Sequence, residues 1–101
     1  MALTKTTKQG YERYFVYGEF ADVLDEDETI TSQSVLAVDA DGVDAKATVI
    51  DDAATYISGT RVYVRVKDGA EADGPYKFTI RCETNKGNRW EVDGTLALKE
   101  T

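Results

Sequence analysis

The stretch DGPYKFTIRCETN, residues 73–85, decides the fold of this 101-residue chain. Apolar side chains occupy one parity of it: Tyr76, Phe78, Ile80 and Cys82. The residues between them are charged or carry a hydroxyl group. A period of two over this length predicts a β-strand with one buried face. Gly74-Pro75 directly precedes it, and proline suits the first residue of a strand because it cannot donate to the ladder.

Two neighbouring stretches show the same alternation. Residues 85–88 read Asn-Lys-Gly-Asn and predict a turn into a second strand of the same hairpin. That strand carries on one parity Trp90, Val92, Leu96 and Leu98. Residues 60–67 predict another strand, with Val62, Val64 and Val66 facing inwards. Its outward parity holds Arg61, Tyr63, Arg65 and Lys67.

The remaining segments complete an all-β pattern without a predicted helix. Residues 11–20 predict a strand whose inward face is ambiguous, because both parities carry apolar side chains. Residues 29–38 predict a strand with Ile30, Leu36 and Val38 inward. Residues 21–28 form an acidic corner before it, which Leu24 is expected to anchor into the core. Residues 45–50 are expected to be extended and to end at Asp51-Asp52, with residues 53–57 either a short strand or a loop.

About seven strands at this spacing predict one domain, an immunoglobulin-like antiparallel β-sandwich over residues 11–101. Residues 1–10 are polar and predict a flexible N-terminal arm. Tyr76 follows Asp-Gly at the start of a late strand. This position matches the tyrosine corner of such sandwiches, although a plain buried aromatic residue fits equally well.

Composition and charge restrict the partners. The formal net charge is −7 and the sequence pI is about 4.5, which argues against a nucleic acid or an anionic membrane as the partner. No signal-peptide pattern and no apolar run of membrane-spanning length are found, so folding in the cytoplasm is expected. The single cysteine, Cys82, is expected to be a small buried hydrophobic residue.

Catalytic and cofactor-binding patterns are missing from the sequence. The chain has no histidine, so neither a Ser-His-Asp nor a Cys-His arrangement can form, and one cysteine cannot hold zinc. We therefore predict no enzymatic activity and no cofactor. Three carboxylates around a glycine, those of Asp39, Asp41 and Asp44, are candidate calcium ligands. Ile50 stands where an EF-hand needs its bidentate glutamate, which favours a plain acidic turn.

Arg61, Tyr63 and Arg65 are the candidate interface residues. Tyrosine and arginine are favoured in protein–protein interfaces, and these three side chains share the predicted outward face of one strand. The alternative is ordinary cross-strand pairing on a solvated sheet surface.

Several stretches together resemble the Ig-like fibre-tail adaptor, or accessory virion, proteins of tailed bacteriophages and prophages. They are residues 5–9 (KTTKQ), 20–24 (FADVL), 27–32 (DETITS), 67–69 (KDG), 73–76 (DGPY) and 79–87 (TIRCETNKG). The resemblance covers roughly residues 5–98. It implies a small structural sandwich without catalytic residues, which docks onto other virion proteins at the tail, fibre or neck.

The sequence therefore leads to the hypothesis of a non-enzymatic phage or prophage particle component. Its location would be the virion, and the bacterial host cytoplasm during assembly. The alternative is an Ig-like binding module of a bacterial surface or secreted protein, in one version stabilised by calcium.

Overall fold

Seven strands and one helical turn make up the part of the chain that the computed structural model describes, which is residues 6–8, 10–69 and 74–98. In chain order they are β1 (Thr6–Lys8), β2 (Tyr14–Glu19), β3 (Ile30–Val38), α1 (Lys46–Val49), β4 (Ile50–Ser58), β5 (Arg61–Val66), β6 (Tyr76–Thr84) and β7 (Arg89–Leu98). One sheet has the order β1-β7-β6-β3 and the other the order β2-β5-β4. All pairs are antiparallel except β1 with β7.

The side chains that the sequence predicted to face inwards on β5 and β6 are buried in the core. Val62, Val64 and Val66 are each 0% exposed. On β6 the side chains of Tyr76, Phe78, Ile80 and Cys82 are all buried. The two faces meet as the inner layers of a sandwich, so the predicted two-sheet architecture is confirmed.

The predicted hairpin is also present. β6 and β7 pair from Tyr76 opposite Leu96 to Glu83 opposite Arg89. At the turn, the Gly87 N–H donates to the Thr84 carbonyl over 3.0 Å, and Gly87 has a φ of +80°. Glycine adopts this left-handed conformation without a steric penalty, which explains its place in the turn.

The inward face of β3 was predicted wrongly. Ile30 is buried as expected, but the register with β6 shifts between Ile30 and Ser32. A bulge inserts one residue and moves every later side chain to the other face. Val35 and Ala37 are therefore buried, while Leu36 is 45% exposed and Val38 is only partly buried.

The segment after β3 also differs from the prediction. Residues 46–49 form the single turn α1 rather than extended chain, and the Lys46 N–H donates to the Asp44 Oδ1 over 3.0 Å at its start. Aspartate commonly satisfies the free N–H groups at such a start. β4 then runs directly through Asp51 and Asp52, which were expected to end a strand. No helix of the described residues has both the length and the apolar character to cross a bilayer.

Part of the predicted N-terminal arm is a strand. Thr6–Lys8 forms β1, which pairs in parallel with Leu96 to Leu98 of β7. Main-chain pairing does not depend on apolar side chains, which is why a polar segment can add to a sheet edge. Lys8 is 1% exposed, and its Nζ donates to the Gly10 carbonyl over 3.2 Å. Residues 1–5 and 9 of that predicted arm lie outside the described residues.

A buried glutamate joins the acidic corner before β3 to the β6–β7 turn. Glu28 is 5% exposed. Its Oε2 accepts hydrogen bonds from the Thr84 hydroxyl and from the Asn88 Nδ2, the latter over 2.8 Å. Its Oε1 accepts from the Asp25 N–H over 3.0 Å. These bonds lower the pKa of Glu28 in the folded chain, the Thr84 hydroxyl having the largest effect.

Replacing Glu28 should therefore change how stability depends on pH. A carboxylate with a folded-state pKa below its ordinary value of 4.5 stabilises the fold above that pH. The stabilisation is lost as the pH falls through the folded-state pKa. We expect Glu28→Gln to be less stable than wild type at pH 7 in urea denaturation, and the difference to shrink towards pH 3. Glu26→Gln is the matched control, because Glu26 is exposed on the same corner. A wild-type–Glu28→Gln difference that is constant with pH would contradict this account.

Candidate interaction face

The outer surface of the three-stranded sheet carries a group of aromatic and arginine side chains. The strand register places Phe15 opposite Arg65, and Tyr17 opposite Tyr63. Tyr63 also lies opposite Tyr56 of β4 on its other side. Glu19 faces Arg61 at the end of the same surface. We call this surface the aromatic face, and it consists of Phe15, Tyr17, Tyr56, Arg61, Tyr63 and Arg65.

The rings of the aromatic face contact one another across all three strands. Tyr56 and Tyr63 stack with their centroids 4.9 Å apart and their planes 8° from parallel. The Tyr17 ring lies 5.5 Å from that of Tyr63. Phe15 meets Tyr56 edge to face at 5.6 Å. Aromatic pairs in these geometries contribute about 0.5–1.5 kcal/mol each beyond their burial, so these contacts favour this arrangement of the side chains without a partner.

Both arginines lie over rings of this face. The Arg61 Cζ is 4.3 Å from the centre of the Tyr17 ring, and the Arg65 Cζ is 5.6 Å from that of Phe15. Arg61 is further held by Glu19, whose Oε1 accepts from its Nε over 2.8 Å. This hydrogen bond raises the pKa of Arg61 and lowers the pKa of Glu19.

Arg65 differs from Arg61 in its polar contacts. Within residues 6–8, 10–69 and 74–98, no carboxylate forms an ion pair with it. Its Nε is buried and has no hydrogen-bond partner there. Asp51 lies opposite Arg65 in the strand register but forms no ion pair with it, so the guanidinium has no carboxylate partner among the described residues that would compete with a negatively charged group of a binding partner.

Three large aromatic side chains of the face remain open to solvent. Phe15 is 44%, Tyr17 42% and Tyr56 47% exposed. Rigid aromatic and arginine side chains provide much of the binding energy in protein–protein interfaces. The arrangement is thus chemically suited to recognition of a protein surface.

The three candidate interface residues from the sequence lie together on the aromatic face, where Tyr63 is central. Sequence reasoning missed Phe15, Tyr17 and Tyr56. The spacing of Phe15 and Tyr17 placed them on one parity, but both parities of that stretch are apolar. Tyr56 lies in residues 53–57, for which the sequence does not distinguish a short strand from a loop. Only the pairing of β2 and β4 with β5 brings these side chains together.

Two of the three candidate calcium ligands, Asp39 and Asp44, accept hydrogen bonds from nearby backbone N–H groups, and Asp41 contributes its own N–H. The Asp39 Oδ1 accepts from the Asp41 N–H over 2.9 Å and from the Val43 N–H over 3.0 Å. Asp44 accepts from Lys46 at the start of α1. In the described part of the chain, no group of three or more histidine, cysteine or acidic side chains could hold a metal ion.

A shallow depression of about 500 Å³ lies on the four-stranded sheet. It is lined by Ser32, Gln33, Ser34, Arg81, Cys82, Glu83, Arg89, Trp90 and Glu91. Two cross-strand ion pairs lie in it, Arg81 with Glu91 at 3.1 Å and Arg89 with Glu83 at 3.0 Å. Cys82 is buried as the sequence predicted, and burial raises the pKa of its thiol. A raised pKa makes the thiol a poor nucleophile.

Comparison with solved structures shows an immunoglobulin-like fold. The chain is similar to the titin M3 domain, with a TM-score of 0.55, 9% identity, and coverage of 98% of this chain and 92% of that one. It is similar to the N-terminal Ig1-2 module of the Drosophila receptor protein tyrosine phosphatase DLAR, with a TM-score of 0.55 and 12% identity. That match covers all of this chain but only 47% of the other.

A third similar structure is Dpr1 IG1 bound to DIP-eta IG1, with a TM-score of 0.52, 14% identity, and coverage of 98% and 91%. At identities this low, structural similarity shows the fold alone, which is the immunoglobulin-like sandwich that the sequence predicted. Comparison with family models and with curated proteins found no match.

Proposed function

We propose that this chain is a non-enzymatic protein-interaction module that binds its partner through the aromatic face. The observation that carries the proposal is the exposure of Phe15, Tyr17 and Tyr56 around the stacked Tyr63. Large apolar side chains that are grouped on a surface, rather than scattered singly, mark interaction sites. The ring and arginine contacts restrain the side chains of this face, which reduces the side-chain entropy lost on binding.

Charge supports the same choice of surface. The chain as a whole has a formal net charge of −7. The aromatic face carries two arginines and, among the described residues, two acidic neighbours: Glu19, which is ion-paired with Arg61, and Asp51, which lies opposite Arg65 in the strand register. The face is thus close to neutral, so a partner with carboxylates at its surface would be repelled less here than by the rest of this acidic molecule. Complementarity of this kind mainly sets orientation and specificity.

Binding rather than catalysis is favoured by the available side chains. The sequence has no histidine to act as a general base. The one thiol is buried in the core. The described depression contains arginine–glutamate pairs that neutralise each other. One of the similar structures is Dpr1 IG1 bound to DIP-eta IG1, which illustrates that such a sandwich can serve as a binding unit.

Within this class we propose a component of a phage or prophage particle that docks onto tail, fibre or neck proteins. Support comes from the resemblance of the stretches quoted above to the fibre-tail adaptor proteins. On this proposal the partners are other virion proteins, and the protein is found in the virion and, during assembly, in the host cytoplasm.

Tyr63→Ala should weaken particle binding by about 10- to 30-fold, because Tyr63 supports the rings on either side and hot-spot aromatics have effects of this size. The assay adds purified protein to particles produced without it and measures co-sedimentation. Tyr11→Ala is the matched control, since Tyr11 is 98% exposed and lies outside the face. Urea denaturation verifies that both variants fold.

The outcomes separate the two levels of the proposal. Absence of the wild-type protein from particles would remove the virion assignment alone. A bound partner that is lost equally with Tyr11→Ala and Tyr63→Ala, or with neither, would show that the aromatic face is not the binding surface.

A further inference from the structure

One edge of the four-stranded sheet is open along most of β3. β3 is the last strand in the order β1-β7-β6-β3, and no described strand pairs with its other edge. Among the described residues, only those at the end of this edge cover it: the Ala45 N–H donates to the Ala37 carbonyl over 2.9 Å, and Val38 bridges Asp44. Ala37 therefore directs its peptide groups away from β6. In an antiparallel ladder this direction alternates, so Gln33 and Val35 direct theirs the same way.

The open edge lacks the usual protection against strand pairing. Native edge strands are shielded by charged residues, proline, short length or strong bulges. β3 spans nine residues, ITSQSVLAV, without a charge or a proline, and its bulge lies at the far end, near Ile30. By contrast, the edge strand β4 carries Asp51 and Asp52 together with an irregular register, and β1 has three residues.

We propose that β3 pairs antiparallel with β3 of a second copy of this chain, about a twofold axis at Ser34. Gln33 of each copy then lies opposite Val35 of the other. Both residues point their free N–H and C=O groups outwards, so this register forms four main-chain hydrogen bonds. A twofold interface of this kind is isologous and closes as a dimer.

The side chains on the outer face fit the same register. Ser34 lies opposite Ser34, and Leu36 lies opposite Ser32 of the other copy. Leu36 is 45% exposed, while Ser32 and Ser34 are small and border the depression. Each leucine would therefore cover the space beside the serine of the other copy. No charged residues face each other along the paired strands, so the pairing itself carries no like-charge penalty.

The proposed dimer goes beyond the interaction function and does not compete with it. The aromatic face lies on the other sheet, so both copies would keep it free. A dimer that carries two identical aromatic faces would bind a repetitive partner surface with higher avidity than a monomer. The interface is small for a stable dimer, which buries roughly 1,200 Å² or more, so we expect association at high protein concentration. Because each copy has a net charge of −7, added salt should strengthen it by screening repulsion.

Ser34→Lys tests the register through charge. It places two lysines directly opposite each other at the twofold axis, and the dissociation constant of the dimer should rise about tenfold or more. Ser58→Lys is the matched control, because Ser58 is exposed on β4 and the change in net charge is identical. Sedimentation equilibrium up to about 1 mM protein at two salt concentrations measures both. A wild-type chain that stays monomeric there, or equal effects of the two variants, would overturn the proposal.

Cysteine crosslinking tests the geometry independently. Ser34 would form a non-hydrogen-bonded pair with its symmetry mate, at a Cα separation of about 4.5 Å that a disulfide spans. Ser34→Cys should crosslink under mild oxidation with oxidised glutathione, because the two new cysteines lie opposite each other. Ser32→Cys should not crosslink, because residue 32 of each copy lies opposite Leu36 of the other copy. The double variant Ser32→Cys with Leu36→Cys should crosslink again. Ser32→Cys reacting as fast as Ser34→Cys would exclude this register, and the native Cys82 is too buried to contribute.

Discussion

Phe78→Ala should lower the free energy of unfolding by about 3–5 kcal/mol, a large part of the 5–15 kcal/mol typical of a domain. Phe78 is 0% exposed. Its cross-strand neighbours are Ala37 on β3 and Gly94 on β7, both small. The ring therefore fills the space that three strands leave between the sheets. Its neighbours are too small to close the cavity that alanine would create.

Phe15→Ala is the matched control for Phe78→Ala, because Phe15 is 44% exposed on the outer surface. It loses ring contacts with Tyr56 and Arg65 but creates no internal cavity. We expect a cost of about 1 kcal/mol. Urea denaturation of both variants measures the difference. Similar losses for the two would mean that the inner layer is less closely packed than the structure shows.

Gly69→Ala should lower the free energy of unfolding by about 2–4 kcal/mol. Gly69 follows β5 and has a φ of +95°, where residues with a Cβ are strained. A Cβ there would also lie 2.8 Å from the Leu98 Cδ2, and 3.2 Å from atoms of Tyr76 and Val49. Three core residues would have to move, so packing strain adds to the backbone strain.

Gly59→Ala separates these two contributions. Gly59 also has a positive φ, +59°, but nothing lies within 4 Å of a Cβ built on it. It should show the conformational cost alone, about 1 kcal/mol. Thermal or urea denaturation of the pair gives the packing contribution by difference. Equal losses at both glycines would refute the close approach of Gly69 to Leu98.

The inner and outer surfaces of the two sheets have different roles in the proposed function. The inner layers hold the sandwich together. The outer face of the three-stranded sheet presents aromatic rings and arginines, and the open edge of the four-stranded sheet presents unpaired backbone. These two surfaces can be tested separately, because Tyr63 and Ser34 lie on different sheets.

The sequence alone determined which faces of β5, β6 and β7 point inwards, although Trp90 of the predicted inner parity is only partly buried. These strands alternate without interruption, so hydrophobic burial leaves one choice of face. The sequence also determined the β6–β7 turn through its glycine, and the burial of Cys82. The same period placed Arg61, Tyr63 and Arg65 together on an outward face.

Only the tertiary structure decided the rest. The bulge after Ile30 reversed the inward face of β3, because a main-chain irregularity leaves no mark in apolar periodicity. β1 joined β7 through backbone hydrogen bonds that polar side chains do not signal. The aromatic face depended on the register of β2 and β4 against β5. Residues far apart in the chain become neighbours only through strand pairing, and that pairing is chosen by the packing of the whole core.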